Sequence, residues 1–101
     1  MRFIMMKPKT KNHTEEAEIL AINALGFLAA DGERLQRFMD LSGLDVAAIR
    51  AGASKPAFLG GILDHLLGDE SLLLIFAEEQ SIRPERIAEL RRKLPGASVD
   101  F

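Results

Sequence analysis

The chain of 101 residues contains no cysteine, no tryptophan and no tyrosine. Without cysteine there can be no disulfide, no thiolate metal site and no cysteine nucleophile. Histidine occurs only at 13 and 65, too thin a supply for the three or four ligands that a transition-metal site normally needs. Val and Thr, which favour strands, occur twice each. No apolar stretch approaches the ~20 residues that a membrane-spanning helix requires. The opening apolar run, Phe3 to Met6, is four residues, where a secretory core needs about 7–15.

What is present is ordinary for a folded domain. The apolar fraction is 48% and the charged fraction 28%, enough to build one hydrophobic core and too apolar for a disordered chain. Leu and Ala dominate, which leans the chain toward helix. Net charge is −2, unevenly spread. Residues 1–11 carry Arg2, Lys7, Lys9 and Lys11 with no acid, and residues 12–82 hold twelve acids against four bases. Arg83, Arg86, Arg91, Arg92 and Lys93 then cluster against Glu85 and Glu89. An acidic body between basic ends is a poor footprint for tight duplex binding.

Hydrophobic spacing and capping residues predict six short helices. The first spans about 15–30, capped by Asn12 or Thr14, with Leu20, Ala24, Phe27 and Leu28 on one face. Ile19 and Ile22 fall on another side, which predicts a central helix with neighbours on two flanks. Asp31-Gly32 opens the second helix and Ser42-Gly43 stops it. Asp45 caps a short third helix, 46–51, ended by Gly52. Pro56 opens the fourth, which Gly68 stops, and Asp69 caps a fifth containing "SLLLIFAEEQ". Pro84 opens the sixth, ended by Pro95-Gly96. The expectation is an all-α compact bundle in a single helical domain, 13–101, behind a disordered basic tail, 1–12. Met5 and Met6 are alternative starts that would shorten that tail.

The stretches "AINALGFLA", "SGL", "IRAGASKPAFLGGILDHLLGDESLLLIF" and "LPG" resemble an uncharacterised bacterial family common in alphaproteobacteria, the domain of unknown function numbered 3572. The likeness covers roughly residues 15–96. It implies a small helical cytoplasmic protein. No functional residue is established for that family, so none is carried over.

The fourth helix holds the main puzzle, "FLGGILDHLL", with two glycines where each should cost the helix about 0.5–1 kcal/mol relative to alanine. At 100° per residue, Phe58, Leu59, Ile62, Leu63, Leu66 and Leu67 form one half. Ala57, Gly60, Gly61, Asp64 and Gly68 form the other, with His65 at the edge. Such small residues let another backbone come close. Ala57, Gly60, Gly61, Asp64 and His65 are therefore the candidate contact face. Its occupant is a helix of the same chain (the third or fifth, with Gly61 as the close-packing position) or, in a homodimer or with a protein partner, another molecule.

Asp64, His65, Asp69 and Glu70 are the nearest approach to a metal or acid–base cluster, but Asp69 and Glu70 suit the start of the fifth helix better. Residues 44–63, "LDVAAIRAGASKPAFLGGIL", have helix-turn-helix spacing. Their second helix offers little beyond Ser54 and Lys55 to reach base edges. No phosphate loop, nucleotide fingerprint or serine elbow is present. The expectation is a cytoplasmic protein that acts by protein–protein contact. It would be no enzyme, have no cofactor or metal, touch no membrane and lack specific nucleic-acid binding. The alternative is a nucleic-acid-associated regulator built on 44–63.

Overall fold

The computed structural model describes residues 13–96, with side chains from Thr14 onward. The basic tail expected at 1–12 and the last residues, 97–101, lie outside the described residues. Six helices follow in order: α1 His13–Ala29, α2 Gly32–Ser42, α3 Val46–Gly52, α4 Pro56–Leu67, α5 Glu70–Gln80 and α6 Pro84–Arg91. No strand occurs among the described residues. The all-α bundle expected from the pattern is the architecture observed.

Local chemistry sets the helix ends. An Asp31 carboxylate oxygen accepts from the backbone N–H of Glu33 and Arg34 at 3.0 and 3.2 Å. Asp45 does the same for Ala48 at 2.8 Å, and Asp69 for Leu72 at 3.2 Å. Each cap satisfies donors that the first helical turn leaves orphaned. Pro56 and Pro84 stand in the first turns of α4 and α6, where a missing N–H costs nothing. Gly43 ends α2 in the left-handed conformation, φ 77°. Gly68, expected as a stop for α4, does stop it, but at φ −85°. The left-handed cap of α5 falls instead on a non-glycine, Ser81, φ 59°.

Helix α1 is the axis of the bundle. It packs on α2, α4 and α6, while α4 also packs on α5 and α6. Its buried residues, Ala17, Leu20, Ala21, Ala24, Phe27 and Leu28, recur at i+3, i+4 and i+7 and so form one stripe. Alanines in three of those places let neighbouring helices approach closely. The rest of the core comes from Ile62, Leu63 and Leu66 of α4, Phe76 of α5, and Ile87 and Leu90 of α6. The Phe27 and Phe76 rings meet at a tilt of 53°, centroids 5.2 Å apart. The expectation that Ile19 and Ile22 would meet a second flank is corrected, because they remain 53% and 51% exposed. Helical spacing identifies an apolar face; it does not say that anything covers it.

Candidate functional site

The paired glycines of α4 separate cleanly. A Cβ on Gly60 would stand 2.7 Å from Nη1 of Arg91, 2.9 Å from its Cζ and 2.9 Å from the carbonyl oxygen of Pro95. A Cβ on Gly61 would meet nothing within 4 Å. Successive positions point about 100° apart, so Gly60 is buried against α6 while Gly61 faces solvent. The sequence reading that made Gly61 the close-packing position is therefore corrected to Gly60. What fills the hollow is a side chain from α6 and the turn after it, not the backbone of the third or fifth helix.

Arg91 is 6% exposed, and each of its three guanidinium nitrogens donates a hydrogen bond. Nε–H and an Nη2–H donate to Oδ1 and Oδ2 of Asp64 at 2.7 and 3.0 Å. Nη1 donates to the carbonyl oxygens of Leu94 and Pro95 at 3.0 and 3.2 Å. The planar fork meets a carboxylate two-on-two, the geometry that makes Arg stronger than Lys in such a place. Removing one partner of a buried charge is costly because the other is left without compensation. Gly96, at φ 102°, brings the chain over the same group, its would-be Cβ 3.3 Å from Nη2 of Arg91. Gly60, Asp64, Arg91 and the Leu94-Pro95-Gly96 turn thus form one internal latch. Nothing local in the sequence pairs Asp64 with a residue 27 positions away.

The expected contact face is accordingly divided. Gly60 and Asp64 are engaged from within the chain, Ala57 and Gly61 are exposed, and His65 is half-buried. His65 meets the Phe38 ring edge-on, centroids 5.0 Å apart. Its Nε2 is buried and makes no hydrogen bond among the described residues. Burial lowers the His65 pKa below its ordinary value; the charge of Asp69 pulls it back up and that of Arg37 pushes it further down. The described residues include no group of three His, Asp or Glu placed to hold a metal ion. Asp69 is spent on capping α5.

Helices α3 and α4 do turn on a tight corner, where the Phe58 ring lies 2.6 Å from the place a Gly52 Cβ would take. As a reading head, however, α4 is buried through Leu59, Gly60, Ile62, Leu63 and Leu66. Its solvent side shows Ala57, Gly61 and Asp64. No side chain on that side carries a donor long enough for a base edge, so nothing here favours the nucleic-acid alternative. The basic run at 91–93 also shrinks, since Arg91 is buried. Nearby Arg86 is paired to Glu16 at 2.9 Å and Glu89 at 3.1 Å.

Sequence reasoning missed an apolar cleft among α1, α2 and α3. It has a volume of about 310 Å³. Leu25 and Ala29 of α1 and Leu35 of α2 form one wall. Val46, Ile49, Arg50 and, just past the helix, Ala53 form the other. These four are spaced i, i+3, i+4 and i+7, so α3 turns one whole stripe into the cleft. The signal was legible, but a seven-residue helix with that pattern reads as core. In the structure only Ile49 and Gly52 of α3 are buried, and Val46 is half exposed. Arg50 is exposed at the edge, with no carboxylate in ion-pair contact among the described residues.

No helix described here is long and apolar enough to cross a membrane. No curated protein and no solved structure matches the chain. A family model does, over residues 14–97, which takes in α2 to α6, all but the first residue of α1, the latch and the cleft. The chain belongs to the family described as protein of unknown function DUF3572.

Proposed function

We propose that this protein works by binding another protein chain through the α1–α2–α3 cleft, in the cytoplasm, and that it catalyses no reaction. The observation that supports the reading is the cleft itself. Its walls are aliphatic side chains at helical spacing, exposed at Ala29 and Val46 and partly so at Leu25, Leu35 and Ala53, and edged by one unpaired cation. Apolar surface in water carries a free-energy cost of roughly 25 cal/mol per Å², which a docking helix or ridge removes. A surface of this kind suits an amphipathic partner with an acidic edge.

A photo-crosslinking residue at Val46, on the cleft rim, tests this in the native host. A matched probe at Gly61, exposed on α4, serves as control. The expected result is a discrete protein adduct from position 46, absent from 61. Equal, diffuse labelling from both positions would refute the cleft as a contact surface.

A further inference from the structure

The outward face of α5 has the features that the cleft lacks. Leu74 and Ile75 are 48% and 43% exposed, side by side on the helix. Glu78 and Glu79 follow one turn on, both exposed and neither in ion-pair contact among the described residues. They also occupy the last turn of α5, which carries no basic residue. Acids there face the negative end of the helix dipole, which disfavours them. The chain thus shows an aliphatic ridge tipped with two unneutralised acids, and elsewhere an aliphatic cleft edged with one unneutralised cation.

We propose that the occupant of the cleft is a second copy of this chain. The Leu74–Ile75 ridge of one copy enters the α1–α2–α3 cleft of the other, and Glu78 or Glu79 meets Arg50 across the boundary. The inference rests on the cleft being a contact surface and names what fills it. The basic segment at residues 1–11 is a poor rival occupant, because its charge has the same sign as Arg50. A closed pair would occupy both surfaces of each copy. Asn23 donates to Gln80 at 3.2 Å, and the Phe27 and Phe76 rings meet with centroids 5.2 Å apart, so side chains of α5 touch α1 at two points. Helix α1 also supplies Leu25 and Ala29 to the cleft. Ridge and cleft both adjoin α1, and in the proposed two-fold pair both contacts would form together. Each copy would give its ridge and receive the other's.

Sedimentation velocity on the full chain across a concentration series, up to about 200 µM, reads the association directly. The expected result is a monomer–dimer equilibrium. Leu74→Glu should abolish it, and Arg50→Glu should weaken it about tenfold or more, because like charges would then face each other. Combining Arg50→Glu with Glu78→Arg and Glu79→Arg should restore it. Arg92→Glu, another exposed charge, should leave it unchanged. All these positions are exposed, and circular dichroism of each variant checks that the fold is retained. A wild type that stays monomeric overturns the proposal. So does a dimer indifferent to Leu74→Glu, or one that the charge exchange does not restore. If the proposal fails this way while the Val46 probe still captures a different protein, the self-association is wrong and the cleft reading stands.

Discussion

Replacing Gly60 by alanine adds one methyl group, yet the structure assigns it a measurable penalty. The new Cβ would lie 2.7 Å from a guanidinium nitrogen and 2.9 Å from both Cζ and a backbone oxygen. A flexible side chain could swing away, but this one is held by four hydrogen bonds, two to Asp64 and two to carbonyls. Relief requires moving α6 and its last turn or breaking part of the latch, an overpacking cost of about 1–3 kcal/mol. Against it stands the better helix propensity of alanine, worth nearly ~1 kcal/mol. The net expectation is a loss of up to about 2 kcal/mol, or up to about 15 °C in the thermal midpoint for a domain this size. Gly61→Ala, one position along and open to solvent, keeps only the propensity gain and should stabilise by up to ~1 kcal/mol. Urea melts of the two variants therefore shift in opposite directions. In an Arg91→Ala background the Gly60→Ala penalty should shrink, since two of the three atoms it collides with are gone and only the Pro95 oxygen remains. A Gly60→Ala protein stabilised as much as Gly61→Ala, or a penalty undiminished without Arg91, would refute the latch.

His65 gives the domain an acid sensitivity. Because its folded pKa is lowered, the unfolded chain takes up the proton first. Stability is then complete above the unfolded value of about 6.5 and falls as pH drops below it. His65→Gln should flatten that slope between about pH 7 and 5 in denaturant melts, and an unchanged slope would assign it to other groups. Ser81 holds a left-handed backbone that glycine adopts without strain. Ser81→Gly should therefore raise stability by about 0.5–1 kcal/mol by urea titration, and a loss would mean the hydroxyl does unseen work.

Much of the bundle could be read from the sequence because its signals are local. Asp31, Asp45 and Asp69 cap the helices they precede, Pro56 and Pro84 open theirs, and Gly43 closes one. Contacts between distant positions left no such mark. The helical wheel placed Gly60 and Gly61 together on one small-residue side, and only the position of α6 distinguishes a filled hollow from open water. Ile19 and Ile22 show the same limit from the other direction, apolar by pattern and exposed in fact. The α3 stripe was visible as a pattern, whereas the gap in front of it depends on how three helices pack. A cleft is a property of spacing between elements, which no single element encodes.

The latch also bears on how the chain folds as it is synthesised. Residues emerge from N- to C-terminus, so α4 exists, with its hollow at Gly60 and the Asp64 carboxylate, well before Arg91 has been made. A chain ending after α5 would keep that hollow open and its carboxylate unmatched, while α1 and α4 lack Ile87 and Leu90 as cover. The last helix therefore acts as a plug as well as a wall. Its arrival closes a long loop between residues 64 and 91, a contact whose entropy cost must be met before its hydrogen bonds form. Folding by this route completes only when the final turn is seated, so shortening the chain by a few residues at that turn would remove more structure than the residues themselves supply.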